Sequence, residues 1–287
     1  MNSYHYGNPN NSASWEHATS IFAAHASVNS KKTSSLPLVQ FWKPNRSTRG
    51  LSKMAEVFLE KCGLPLNLGE PKFCFEYPVP VNGGKGKASM TDLMILADNY
   101  AIAIEAKWTE CKHKYEFIGD WENSGDAVNH KKVLNGWIAY IDEYLKDRGC
   151  KLKMKNAEAI KEIPYQLLHR VASACHAANE GNKATAVVVY HLFYDSGKGG
   201  TESAMSNNYK NKLGEWFSMM FEPADERELP IAFHVILTEV KLPSNDSDVG
   251  KRFADLKRRD YNDIFLLMQD KDVYSFESCV RVGNGNP

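Results

Sequence analysis

The sequence lacks an excess of either charge, paired cysteines and long apolar runs, and each absence excludes a class of protein. Lys and Arg together number 35, as do Asp and Glu, so any surface for nucleic acid must be a local patch. The six cysteines include no Cys-x-x-Cys pair, which gives no support for a zinc ribbon or redox dithiol and is typical of reduced thiols. No stretch approaches the roughly 18 apolar residues that span a bilayer, and the first residues do not resemble a secretory signal. We therefore expect a cytoplasmic protein without a membrane segment.

Two common catalytic motifs are also missing. No Gly-x-Ser-x-Gly occurs, so a serine hydrolase built on a nucleophile elbow has no support. The glycine-rich residues 83–87 lack the spacing of a P-loop and join two predicted strands instead of opening a helix. This segment is either a plain flexible hairpin loop or a loop whose Lys85 and Lys87 contact a nucleic-acid backbone. A basic cluster in residues 251–259 is either a solvated helix face or a further phosphate contact, and the insertion offers similar candidates in Lys112, His113, Lys114, His130, Lys131 and Lys132.

The hydrophobic pattern predicts an α/β fold on one central mixed sheet. Residues 1–40 are rich in Ser, Asn, His and Ala, and we expect a loosely packed N-terminal extension with a short helix over 15–26. Residues 41–287 are predicted to form a single domain that carries a helical insertion over 109–163 and C-terminal additions. Apolar spacing predicts helices over 51–62, 165–178 and 250–260, and strands over 73–81, 90–96, 100–108, 184–194, 231–240 and 263–268.

Three charged residues occupy positions at which a buried β-hairpin normally has apolar residues. Asp92 lies in the strand before the Asp-Asn turn, and Glu105 and Lys107 lie in the strand after it. Side chains alternate faces along a strand, so Glu105 and Lys107 share a face, and pairing about the turn brings Asp92 close to Glu105. Burying an unpaired charge costs several kcal/mol, so these charges need a metal, a partner or a catalytic task.

Two carboxylates at one place are typical of a Mg²⁺ or Mn²⁺ site, since both ions prefer oxygen ligands. Such an ion polarises a phosphodiester and lowers the pKa of a bound water, and Lys107 beside it can stabilise developing negative charge. The alternative is that Glu105 and Lys107 form a solvated pair on an edge strand, with Asp92 as a turn residue.

The residues Thr91-Asp92 and Glu105-Ala106-Lys107, in the order helix, three strands, helix, strand, resemble the PD-(D/E)XK nuclease superfamily. The resemblance implies a restriction-endonuclease-like αβββαβ core in which Asp92, Glu105 and the backbone carbonyl of Ala106 bind the metal and Lys107 is catalytic. It also implies a further acid from the first core helix, here Glu56 or Glu60 with Glu56 preferred, and a polar residue from the later helix, here Gln166 with His169 or Arg170. The family's proline before the aspartate is Thr91 in this sequence, so one specific cue is absent.

These residues predict a metal-dependent nuclease that hydrolyses double-stranded DNA, of restriction, defence or repair type, and that forms a homodimer if it cuts both strands. One alternative is a structure-selective or RNA nuclease, in which aromatic side chains stack on bases. Four aromatic residues are candidates for that role: Trp108, Tyr115, Trp121 and Trp137. A second alternative is a nuclease-like module that binds nucleic acid without cutting it.

Overall fold

A seven-stranded mixed sheet forms the centre of the computed structural model of this protein. The structure describes residues 2–9, 14–26, 28, 30, 32–45, 47, 50–108, 116–146, 148–152, 161–195, 211–223, 230–255 and 261–282. Within these ranges the predicted combination of helices with one mixed central sheet is confirmed.

The strands are, in chain order, β1 (Ser3–Tyr6), β2 (Lys72–Val79), β3 (Ser89–Leu96), β4 (Tyr100–Lys107), β5 (Cys150–Leu152), β6 (Thr185–Tyr194), β7 (Phe221–Pro223), β8 (Ile231–Lys241) and β9 (Ser275–Arg281). The central sheet has the order β1-β2-β3-β4-β6-β8-β9, and β5 pairs with β7 in a separate small sheet. Strands β2, β3 and β4 form an antiparallel meander, whereas β4, β6 and β8 run parallel to one another.

The helices are α1 (Trp15–His25), α2 (Ser35–Phe41), α3 (Lys53–Lys61), α4 (Ile118–Glu122), α5 (Ala127–Leu145), α6 (Tyr165–Glu180), α7 (211–220), α8 (Asp248–Asp255) and α9 (Asp263–Asp270). Ser52 caps α3, because its side chain accepts the Ala55 N–H, and Asp126 caps α5 in the same way through Asn129. Among the described residues, no helix combines the length and the apolar character needed to cross a bilayer.

Alternation along β4 divides the core between the two faces of the sheet. Ala101 and Ala103 face a layer built from α5, α6 and α7, whereas Ile102 and Ile104 face a layer built from α1, α2, α3, α8 and α9. Strand β6 is buried on both faces, as its uninterrupted apolar run predicts. Each fully buried aliphatic side chain in these layers contributes roughly 1.5–3 kcal/mol to folding.

The N-terminal residues differ from the loosely packed extension that their composition predicts. Strand β1 pairs in parallel with β2, and α1 buries Trp15 and Phe22 in the core layer. Every residue of α2 from Leu36 to Phe41 is buried. The scattered aromatic and aliphatic residues of this segment outweigh its polar composition, because they pack against one face of the sheet beside α3, α8 and α9.

The prediction of a strand over residues 263–268 is wrong, because these residues lie in helix α9. The buried residues Ile264, Phe265, Leu267 and Met268 follow helical spacing, and the edge strand is β9 instead. The basic helix is α8, which ends at Asp255, and residues 256–260 of the prediction lie outside the described residues. The insertion contains α4 and α5 as expected, together with the unpredicted strand β5.

Candidate active site

Strands β3 and β4 separate where the three predicted charges lie. Their pairing runs from Leu96 opposite Ala101 to Leu93 opposite Ile104 and ends one step before Asp92 and Glu105. Beyond that point the Ala106 N–H donates to Oδ2 of Asp92 at 2.7 Å. The Asp92 side chain therefore takes the place of a main-chain acceptor, and a space opens between the two strands.

Glu105 lies in this space with both carboxylate oxygens engaged. Its side chain is 2% exposed. Lys107 donates to Oε1 at 2.7 Å, and the Gln166 side-chain amide donates to the same oxygen. Arg170 donates to Oε2 and forms a buried ion pair with it. The structure thus brings Asp92, Glu105, Lys107 and Gln166 together, as the sequence predicts.

Arg170 is the main counter-charge of the site, a larger role than the sequence assigns to it. The guanidinium lies on α6 with 1% exposure and also donates to Thr91 Oγ1 and to the Met90 carbonyl, the latter at 2.9 Å. These bonds join α6 to the part of β3 that carries Asp92. Thr91 therefore supplies a hydroxyl acceptor for Arg170.

His169 lies beside Arg170 and is neutral. Burial lowers the pKa of its imidazole to about 3, and the nearby Arg170 charge acts in the same direction. Its Nδ1 lies 2.8 Å from Ser89 Oγ. A neutral imidazole held in this way is a hydrogen-bonding group and not a cationic partner for phosphate.

The environment moves the pKa values of the two carboxylates apart. Burial raises the pKa of Asp92, and the neighbouring Glu105 charge raises it further. Burial alone would also raise the pKa of Glu105, but the charges of Arg170 and Lys107 outweigh burial and lower it. Without a further cation Glu105 is the ionised member of the pair, and Asp92 holds a proton more readily than an ordinary aspartate.

These side chains line a cavity of about 490 Å³ at the end of the sheet where β3 and β4 separate. Its wall comprises Ser34, Ser35, Lys87, Ala88, Ser89, Met90, Asp92, Glu105, Ala106, Lys107, Trp137, Tyr165, Gln166, His169 and Arg170. The cavity lies at the carboxyl end of β4, the position at which parallel α/β sheets bind ligands.

Glu56 does not reach this cavity, so the structure does not support its predicted role as a metal ligand. Its side chain is 37% exposed and pairs with Lys53 at 3.4 Å. Helix α3 packs on the sheet face that carries Ile104 and Ala106, whereas Glu105 follows Ala103 on the other face. The alternative, Glu60, is exposed on the same helix.

The third acid near the site is Glu76 in β2, which the sequence analysis missed. Burial raises the pKa of Glu76, and the charge of Glu105 raises it further. Its backbone has a φ of 51°, which is rare for a residue other than glycine in a strand. An acid inside the apolar run Phe-Cys-Phe-Glu-Tyr is the signal that points to it, the same signal that identifies Asp92.

The oxygen atoms around the strand separation are of the chemical type that a hard divalent cation prefers. Within the described ranges, no group of three or more His, Cys, Asp or Glu side chains is arranged to hold a metal. Asp92 and Glu105 supply two carboxylates, however, and the Ala106 carbonyl points to the same side of β4 as its N–H, toward Asp92. Two carboxylates and a main-chain carbonyl are oxygen donors of the type that Mg²⁺ and Mn²⁺ accept, with water completing the shell.

Residues 11–230 match the family model of a domain of unknown function, DUF6946. The matched range contains every residue of the candidate site. No curated protein and no solved structure matches the chain.

Proposed function

The chain belongs to the DUF6946 family, and we propose that it is a metal-dependent nuclease that hydrolyses phosphodiester bonds in DNA. The observation that carries the proposal is the convergence of Asp92, Glu105 and Lys107 on one cavity where β3 and β4 separate. The order α3, β2, β3, β4, α6, β6 and the antiparallel meander followed by a parallel strand support a PD-(D/E)XK, restriction-endonuclease-like core.

In this proposal Asp92, Glu105 and the Ala106 carbonyl would hold Mg²⁺ or Mn²⁺. When bound, the ion would polarise the phosphodiester and lower the pKa of a coordinated water. Lys107 and Gln166 both donate to Oε1 of Glu105, so this oxygen would be open to a cation only where the two donors turn away from it. Arg170 donates to Oε2 and thereby orients the Glu105 carboxylate.

Lys107 and Gln166 are the side chains that would act on the substrate in this cavity. The Lys107 ammonium remains within the cavity and stabilises negative charge that develops on the phosphate oxygens. The Gln166 amide supplies a neutral hydrogen-bond donor for the attacking water or a phosphate oxygen. Both residues belong to rigid elements, which keeps these donors in fixed positions.

One experiment tests this function directly. Purified protein is incubated with supercoiled plasmid with and without Mg²⁺ or Mn²⁺, beside the variants Asp92→Asn and Glu105→Gln. We expect metal-stimulated cleavage by the wild type and a loss of at least about 100-fold in both variants. Glu56→Gln is the matched control, because this acid lies outside the cavity, and it should cleave like the wild type. Undiminished cleavage by Asp92→Asn would rule out the assignment.

One observation favours a second candidate, a nucleic-acid-binding module that does not cleave. Both oxygens of Glu105 are already satisfied by Arg170, Lys107 and Gln166, as in a purely structural ion-pair network. Calorimetry with Mn²⁺ separates the two functions. Heat of binding that disappears in Glu105→Gln supports the nuclease, and absence of binding supports the non-catalytic module.

A further inference from the structure

The loop between β2 and β3 is fastened to helix α5, in contrast to the flexible hairpin that its glycines suggest. Asn129 of α5 accepts the Lys85 N–H at 2.7 Å and donates to the Lys85 carbonyl at 2.7 Å. Tyr140 donates to the Pro80 carbonyl at 3.2 Å. The Asn82 carbonyl packs against Gly136 so closely that a Cβ there would lie 1.7 Å from it. These contacts hold loop residues 80–88 against α5.

This fastened loop and the adjoining turns of α5 carry four exposed lysines. Lys85 and Lys87 belong to the loop, and Lys131 and Lys132 belong to α5. The Lys132 carbonyl lies 3.5 Å from the position of a Cβ on Gly83, so loop and helix are in contact here. Among the described residues, none of the four forms an ion pair with an acid. In a chain of zero net charge, such a concentration of unneutralised lysines is a local positive patch.

The patch reaches the candidate active site. Lys87 lines the same cavity as Asp92 and Glu105. A polyanion that lies across the loop and α5 would therefore pass its backbone over the two carboxylates. Lysine side chains contact phosphates without reading the bases, which suits a surface that positions a strand for cutting.

The aromatic rings near the cavity are engaged within the protein. Trp121 stacks between His130, with centroids 4.2 Å apart, and Tyr165, with centroids 3.9 Å apart. Trp137 is 1% exposed and Trp108 is 3% exposed, while Tyr115 lies outside the described residues. Proteins that bind single strands present aromatic faces to unstacked bases, and none of these tryptophans does so. A DNA duplex, in contrast, can be bound through its phosphate backbone without any stacking on aromatic side chains.

We infer that Lys85, Lys87, Lys131 and Lys132 form a phosphate rim that binds the backbone of double-stranded DNA, with Asn129 as the positioning residue of the loop. The inference rests on the proposed function, because it places the substrate of that same site. Asn129 acts indirectly: it bonds to both the N–H and the carbonyl of Lys85, so the main chain of the loop loses little conformational freedom when phosphate binds.

Binding is measured by fluorescence anisotropy of a labelled duplex in EDTA, where no cleavage occurs, over a series of salt concentrations. Replacing all four lysines by alanine should lower the magnitude of the slope of log K against log salt by about 3–4, since each phosphate contact contributes about 0.9. The control variant carries Lys53→Ala and Lys61→Ala, two exposed lysines on α3 at the opposite face of the sheet, and should keep the slope. An unchanged slope of log K against log salt in the four-lysine variant would contradict the proposed phosphate rim.

Asn129→Ala tests the positioning role, because it keeps all four lysines. We expect the KM for duplex cleavage to rise about 3- to 10-fold while kcat stays within 2-fold, since ordering the loop then opposes binding. A merely structural role would lower kcat and thermal stability together and would overturn the positioning role. If the wild type shows no cleavage, the same comparison is made on the duplex dissociation constant.

Two further outcomes separate the rim from the nuclease proposal. Lysine-dependent duplex binding without metal-stimulated cleavage supports the rim and contradicts the proposed chemistry. Tighter binding of a single-stranded DNA or an RNA of the same length, with the same dependence on the four lysines, contradicts the choice of duplex DNA.

Discussion

Replacing Arg170 by methionine should destabilise the protein more than any single change at its surface. The guanidinium is 1% exposed and bonds to Glu105, Thr91 and the Met90 carbonyl. Removing one partner of a buried ion pair costs about 3–5 kcal/mol, because the remaining charge stays buried without compensation. The Thr91 and Met90 acceptors add about 1 kcal/mol each when they are left unsatisfied. Lys107 and Gln166 still donate to Glu105 and reduce the cost of leaving its charge buried. We therefore expect the total loss, including the Thr91 and Met90 acceptors, to remain about 3–5 kcal/mol.

A loss of that size is a large part of the roughly 5–15 kcal/mol by which domains are stable. The assay is urea denaturation followed by tryptophan fluorescence, applied to Arg170→Met, Glu105→Gln and the double variant. Because the two groups interact, the double variant should lose about 1–3 kcal/mol less than the sum of the single losses. Arg252→Met, at an exposed position on α8, is the control and should stay within about 0.5 kcal/mol of the wild type. A loss below about 1 kcal/mol for Arg170→Met, or strict additivity, would refute the reasoning.

Three further predictions concern stability. Asp92→Asn should stabilise the metal-free protein at pH 8 and much less at pH 5. The raised pKa of Asp92 lowers the free energy of unfolding increasingly as pH rises above the ordinary aspartate value of about 3.9, and asparagine removes this loss. An equal effect in urea titrations at both pH values would contradict this. Gly136→Ala should cost about 1–3 kcal/mol through the clash with the Asn82 carbonyl, whereas Gly214→Ala, with open space around it in α7, should gain about 0.5–1 kcal/mol. Burial lowers the pKa of His191 to about 3. Below about pH 6.5 the unfolded chain binds a proton at this histidine that the folded protein excludes, so the free energy of unfolding falls as pH falls. His191→Phe should therefore flatten the decline in the free energy of unfolding measured from pH 6.5 to 4.

The central part of the site could be predicted from the sequence because strand periodicity is strict. In a hairpin about Asp98 and Asn99, alternation puts Glu105 and Lys107 on one face and puts Asp92 opposite Glu105. Strand periodicity does not predict two features that the structure has. The strands separate at this point, and the Asp92 carboxylate accepts the Ala106 N–H.

The parts of the site that were missed depend on packing between distant elements. Helix spacing puts Gln166 and Arg170 on one face of α6, but only the docking of α6 on β3 and β4 makes Arg170 the partner of Glu105. Glu56 was predicted from the resemblance, and the side of the sheet on which α3 packs is not encoded in its own periodicity. Residues 263–268 are short and apolar, and such runs suit a strand or a buried helix equally.

The burial of the N-terminal residues decides where this chain can be shortened. A chain that begins at residue 41, the boundary that composition suggests, would lack β1, α1 and α2. Phe73 and Phe75 would then lose their ring contacts with Tyr4 and Phe22, and β2 would become an open edge with unpaired main-chain groups. Exposed edges of this kind favour self-association, so recombinant work on the candidate nuclease should retain the first forty residues.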